Sequence, residues 1–560
     1  MQHKTLIQII LLLFMATTPY AGFAAEQQSA ADDAEASQPV ATLSFEDAVA
    51  KLTEKVNFTE QAENLERLAS FEDERVYDIL YSFSKNTLFY VKQSKELVSA
   101  VNIGDSYKVT SIMTGKVLDR TSKSGLKKVK SKNSLRRKAG EYLAIIGLKS
   151  PKTSLRKNSV YEVIKNVDEK AYHTLKKLAK NEPDEDILEY MKVGIAMWEV
   201  DSDDQDKRLN AISVLSNSLI PEVRVKLAEL IRQNESGEFI ESDKSVRVAA
   251  TNALKKIDED ISFYGTLENV VFGISTGSIL ILIAIGLAIT FGVLRVINMA
   301  HGELMMLGAY TTYAVQQLIP EHIALSIFIA IPLAFLVSAF VGILIERFVV
   351  RYLQGRPLDT LLATFGVGLI LQQLVRSIFG PNNRPVETPA FMSGSLEFNP
   401  IFALTYNRLY IFIFTIIVFV TLVLILKKTR LGLQVRAVSS NRSIAKAMGV
   451  RSEWVDALTF GLGSGIAGMA GVALSQVTNV GPNLGQQYII DSFMVVVFGG
   501  VGSLSGTFTS GSILGLLTKF LESWYGAVIA SIMVLIFIIL FIQKWPRGLF
   551  PQKGRAAEAE

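Results

Sequence analysis

The 560-residue chain carries 57 Lys and Arg against 53 Asp and Glu, and this small excess gives no general affinity for nucleic acid. It has no cysteine, which excludes disulfides, thiolate metal sites and cysteine nucleophiles; its four histidines show no zinc-ligand spacing, so no metal site is expected. The composition averages two unlike halves: residues 26–261 are rich in Lys, Glu, Asp and Ser, while from residue 267 onward apolar runs of bilayer length recur with short polar gaps.

In chain order, residues 1–25 fit a signal peptide: Lys4, an apolar core over residues 6–15, and small residues before a cleavage point at Ala25. That apolar core is too short to span a bilayer. Residues 26–40 form a polar linker rich in Ala and Ser. A soluble helical domain is expected over 41–260, with Ser44 as an N-cap and Asp47 completing an approximate capping box. A small β insert is expected near 87–118, where Leu88–Val91 and Tyr107–Thr110 read as strands and Gly104-Asp105 and Gly115 as turns. Three stretches, beginning at Ser134, Pro221 and Lys244, share a polar start, Val or Leu interleaved with Arg, and then small residues. Two accounts stand for them, HEAT-like repeats and another helical domain, and either suits docking better than chemistry. The basic run 123–137 and the acidic run 199–206 read as solvated surface.

Nine apolar segments follow, at 268–293, 298–318, 323–346, 358–379, 408–426, 455–475, 487–502, 507–523 and 526–543, and eight or nine crossings fit them. The second and seventh are the weakest, being interrupted by polar groups or rich in glycine. The fold class is therefore mainly α, a polytopic helical membrane domain over 261–555 with a short tail at 556–560. Lys and Arg concentrate in 347–356, 427–451 and 544–555, which the nine-segment count places on one side. The excess of cations makes that side cytoplasmic, with the soluble domain periplasmic and the chain in a bacterial inner membrane.

Asn298, His301 and Glu303 bring polar groups to membrane depth; Asn298 and His301 share a helix face and Glu303 points elsewhere. Two readings stand: they line a polar path, or a His–Glu network satisfies a broken segment. Gln372 and Gln373, near Arg376, and Asp491 are further candidates for such a path. Gly461, Gly465 and Gly468 place small residues along the sixth segment for close helix packing, the first two at GxxxG spacing. In the basic loop, Ser443 is expected to cap a short amphipathic helix ended by Gly449. Composition leaves open whether this loop transmits motion or only fixes orientation.

The stretches Asn298-Met299-Ala300-His301-Gly302-Glu303 and Gly308-Ala309-Tyr310, the Arg436 to Val450 loop, and Gly499-Gly500-Val501-Gly502-Ser503-Leu504-Ser505-Gly506 together resemble the LivH-type branched-chain amino-acid ABC permeases. The long N-terminal domain and the ending from Phe541 to Phe550 most resemble the urea-transporter branch, the UrtB-type subunits. The resemblance implies an importer permease that is no enzyme and binds no cofactor, with ATP used by two cytoplasmic ATPases, and with a second permease and a periplasmic binding protein as partners. It implies urea as substrate, with branched-chain amino acids or other small amides as the alternative. It also makes Arg436, Asn441, Arg442, Ile444, Ala445, Lys446, Met448 and Gly449 the ATPase-coupling loop. The chain carries no GxxxxGK[ST] segment. A membrane-anchored scaffold or sensor is the reading from another class.

Overall fold

The computed structural model describes residues 44–54, 57–71, 73–103, 106–121 and 125–550. The expected signal peptide, linker, Gly104-Asp105 turn and C-terminal tail lie outside the described residues. The chain divides into two compact units, one through Ser159 and one from Val160.

In the first unit, α1 (Phe45–Lys51) starts at the expected box: the Asp47 amide donates to Ser44 Oγ, and the Ser44 amide donates to the Asp47 carboxylate. Helix α2 (Phe58–Ser70) repeats the device with Asn57 and Glu60. In α3 (Glu74–Ser84), Val76, Ile79, Leu80 and Phe83 recur at helical spacing, and they pack with Leu65 and Leu68 of α2 into one core. Strands β1 (Leu88–Val91), β2 (Leu97–Ile103), β3 (Ser106–Ser111), β4 (Val117–Thr121) and β5 (Leu126–Lys128) form an antiparallel sheet in the order β4-β3-β2-β1-β5. Gly115 at φ +68° supplies the left-handed residue between β3 and β4. The insert reaches ten residues beyond the expected 118, because β5 pairs back onto β1 from outside the hairpin run. Helix α4 (Asn133–Gly147) adds Leu135 and Ala139 to the core, and α5 (Thr153–Ile164) spans the division.

The second unit opens with α6 (Glu169–Leu178), α7 (Glu185–Glu199), α8 (Gln205–Leu215) and α9 (Pro221–Leu230), the first three capped by Asp168, Asp184 and Asp204. The acidic run is thus partly structural, since Asp204 caps a helix and Asp201 pairs with Lys226 at 2.6 Å. Helix α10 (Lys244–Leu294) runs unbroken for 51 residues, about 77 Å at 1.5 Å per residue. Its start buries Val246, Ala250, Ala253, Leu254 and Ile257, and α8 and α9 pack against this helix. Its second half is apolar enough to cross a membrane. The boundary drawn at residue 260 from composition falls inside this helix, because polarity changes along it while the backbone ladder continues. Of the three repeated stretches, the first lies on α4 in the N-terminal unit, and the others lie on α9 and α10.

The remaining helices are α11 (His301–Leu318), α12 (Ile323–Phe348), α13 (Pro357–Phe379), α14 (Tyr406–Lys428), α15 (Arg430–Ser440), α16 (Arg442–Ala447), α17 (Ser452–Ser475), α18 (Leu484–Gly499), α19 (Leu504–Tyr525) and α20 (Ala527–Lys544). Each of the nine expected apolar segments coincides with one of these helices or with α10. Among the described residues, α10, α12, α13, α14, α17 and α20 are long and apolar enough to cross a membrane, and α18 is a shorter apolar helix. The apolar windows of α10 and α17 are 78% and 83% buried, against 22% for α14 and α20, so the first two form the centre of the bundle.

Glycines let α17 take that place. A Cβ on Gly461 would lie 2.8 Å from Ile343, one on Gly465 2.6 Å from Phe335 Cδ2, and one on Gly468 2.5 Å from the Ala334 carbonyl, all on α12. Gly463 meets the backbone of Gly286 on α10, and Gly471 meets Met305 and Ala309 on α11. Small residues thus admit three neighbouring helices at backbone distance.

Candidate functional site

Helix α10 ends at Arg295, held in the left-handed region at φ +54°, and the chain turns back through 296–300 before α11 begins. His301 Nε2 lies 2.9 Å from the carbonyl of Ile283. A carbonyl only accepts, so Nε2 carries a proton and donates it. Ile283 stands eleven residues before the end of α10, about 16 Å along it and close to half the depth of an apolar bilayer core. Helix α11 therefore begins near mid-depth. Asn298 is fully buried and its Oδ1 accepts from the Ala300 amide at 3.1 Å, while the Met299 amide donates to Thr364 Oγ1 on α13 at 3.1 Å.

A second helix begins at the same place. Residues 476–483 fold back after α17, and at the start of α18 Gly485 meets Gly302 so closely that a Cβ on Gly485 would lie 2.5 Å from the Gly302 carbonyl carbon. Two helix N-termini thus converge inside the bundle, each bringing the partial positive charge of its free amides. The returning segment is tied to 381–405 by a two-bond bridge between Arg384 and Val480. Asn483 Oδ1 accepts from Arg376 at 2.6 Å and from Gln372 at 3.3 Å.

The facing wall is α13. Thr360, Thr364, Gly368, Gln372 and Arg376 recur every four residues and form one stripe, which Glu303 meets at Gly368. Leu362, Phe365, Leu369, Ile370, Leu374 and Ile378 occupy the exposed side of the same helix. Of the polar candidates, Asn298 lies in the turn before α11, His301 is directed at Ile283 and Gly286 on α10, Glu303 meets α13 at Gly368, and Gln372 shares that stripe of α13. Gln373 does not: one residue on from Gln372, it is rotated about 100° and stands on the exposed side. Asp491 is half-buried on α18, one turn beyond Tyr488, and has no ion pair among the described residues. Sequence reading missed Thr364 and Asn483; the four-residue spacing on α13 was the available signal for the first, and Asn483 joins only through the return of 476–483.

The polar junction is under-satisfied. Asn298 Nδ2, His301 Nδ1 and Glu303 Oε2 are buried and have no hydrogen-bond partner among the described residues. Such atoms at membrane depth are costly unless a path or ligand uses them. One cavity, of about 730 Å³, lies away from the junction among Arg224 of α9 and Lys255, Asp258 and Glu259 of α10, and another, of about 510 Å³, opens at the basic end of the bundle.

At that basic end, α16 is the expected short helix. Its cap is Asn441, two residues before the expected Ser443: Asn441 Oδ1 accepts from the Ile444 amide at 3.0 Å, and extended backbone at Asn441 separates α15 from α16. Gly449 follows at φ +86°. Ala445 is buried, whereas Ile444 and Met448 are 61% and 79% exposed, so an apolar pair projects from a cationic surface that includes Lys446. Arg436 donates to the Leu426 carbonyl. Arg442 pairs with Asp456 on α17, which Gln354 also contacts.

Residues 269–543 match the family model described as the permease component of the branched-chain amino acid transport system. The membrane half is thus similar to this permease family. BraD of Pseudomonas aeruginosa, a high-affinity branched-chain amino acid transport system permease protein, is 28% identical over 296 residues, covering 51% of this chain and 96% of BraD. LivH of Escherichia coli K12 is 28% identical over 302 residues, covering 50% of this chain and 94% of LivH. A probable LivH of Methanocaldococcus jannaschii is 27% identical over 297 residues, covering 49% and 88%. No solved structure matches. The helices long and apolar enough to cross a membrane thus lie in the part of the chain that is similar to transport-system permeases.

Proposed function

We propose that this chain is the permease subunit of an ATP-driven importer, that solute passes the junction where α11 and α18 begin, and that the solute is urea. The buried, unpartnered Asn298 Nδ2, His301 Nδ1 and Glu303 Oε2 at mid-depth carry this reading. Urea is neutral and presents one strong acceptor and four N–H donors, which amide, imidazole and carboxyl groups match without a fixed ion pair. The extra N-terminal region, which the relatives matched nearly over their whole length do not require, also separates this chain from the plain amino-acid permeases.

The concentration of Lys and Arg supports a cytoplasmic position for α15, α16 and the C-terminus, with the N-terminal region periplasmic. One ATPase would dock on Ile444 and Met448, and a second ATPase, a second permease and a periplasmic binding protein would complete the assembly. A second reading is import of branched-chain amino acids. The names of the relatives favour it, and Glu303 with Arg376 two turns beyond Gly368 offers both charges a zwitterion needs.

Uptake of labelled urea and labelled leucine at low concentration, with and without the gene, separates them. Loss of a urea-competed, leucine-insensitive component is expected, and Asn298→Ala should reproduce that loss with normal membrane levels of the protein. Lost leucine uptake with unchanged urea uptake moves the substrate to the second reading.

A further inference from the structure

The cavity of about 510 Å³ at the basic end has two unlike parts. Its inner wall is apolar, from Ile289 on α10 and Phe419 and Val423 on α14; its rim carries Lys427, Arg436 and Ser505, and no carboxylate lines it. Neither Lys427 nor Arg436 makes an ion pair among the described residues. The bond from Arg436 to the Leu426 carbonyl holds the guanidinium at the rim. Helix α19 begins at the same wall, where Ser503 caps it through the Gly506 amide at 3.1 Å, so its first-turn amides add partial positive charge. The junction inside the bundle uses none of these groups.

We propose that this cavity binds one anionic phospholipid, with its phosphate between Lys427 and Arg436 and an acyl chain along Ile289, Phe419 and Val423. Two cations without acidic neighbours call for an anion, and the apolar wall continuing from them calls for one with a hydrocarbon tail. The helices that form the wall end at this membrane surface, where such a headgroup lies. The inference holds for either transported solute.

The test is native mass spectrometry of the full-length chain in detergent, titrated with phosphatidylglycerol or phosphatidylcholine. Selective retention of phosphatidylglycerol is expected, weakened about fivefold in Lys427→Gln and roughly 30-fold in Lys427→Gln with Arg436→Gln. Val423→Trp keeps both cations and fills the apolar wall; it should lose the lipid as well. Lys428→Gln with Arg430→Gln removes two cations outside the cavity and should leave binding unchanged. Equal retention of both lipids, equal loss in the outside pair, or normal binding in a folded Val423→Trp overturns the proposal. Displacement of the lipid by millimolar inorganic phosphate alone assigns the site to a small free anion, and also overturns it.

Discussion

Removing Arg442 should destabilise the bundle through Asp456. The side chain of Asp456 is 1% exposed and that of Arg442 34%, so the carboxylate depends on the pair more than the guanidinium does. Gln354 Nε2 adds only a 3.4 Å contact, and Asp456 Oδ1 has no partner. Breaking a fully buried pair costs roughly 3–5 kcal/mol; water reaching Arg442 lowers this, so Arg442→Ala should cost about 2 kcal/mol. Replacing both residues by Leu removes the stranded charge and should recover most of that loss. Unfolding of the full-length chain in mixed micelles, followed by far-UV circular dichroism against increasing denaturing detergent, measures both. A loss below about 0.5 kcal/mol in Arg442→Ala, or a double variant as damaged as the sum of its single variants, refutes the reasoning. Arg442 begins α16, so in a reconstituted importer its loss should also lower uptake per ATP hydrolysed while assembly persists.

The glycine contacts give opposite signs at two positions. A Cβ at Gly308 would lie 2.5 Å from Gly468 Cα, so Gly308→Ala should cost about 1–3 kcal/mol as the helices part, whereas Gly366 on α13 has nothing within 4 Å and Gly366→Ala should gain about 0.5–1 kcal/mol. Thermal midpoints in one detergent compare them, and the reverse order defeats the packing account. Before α10, the hydrogen bond from Arg208 on α8 holds the Glu241 carboxyl below its ordinary value. The stabilisation from Glu241 is therefore present above roughly pH 4.3, where the unfolded glutamate is ionised, and is lost as pH falls through the depressed value. Glu241→Gln should lower stability at pH 7 by about 1 kcal/mol, with the gap to the natural protein closing in acid; limited proteolysis across pH reads it.

Periodicity and composition determined the inventory of elements. The nine apolar segments, the Ser44 box and the strands at Leu88 and Tyr107 were all local, because hydrogen bonds along a helix and alternation along a strand involve near neighbours. Polar residues inside apolar sequence were equally visible at Asn298, His301 and Glu303, since polarity in such a run is conspicuous. Other features depend on residues far apart in the chain. The mid-depth start of α11 needs Ile283, the meeting of two helix N-termini needs Gly302 against Gly485, and the partner of Arg442 is Asp456 on another helix. Gln372 and Gln373 are neighbours in sequence, yet only the rotation of α13 against α11 turned one towards the junction and the other away. Composition marks a change of polarity near residue 260, yet the ladder of α10 runs on through it, so that boundary falls inside one helix; what the apolar half of α10 packs against, from α17 to α19, only the tertiary structure decided.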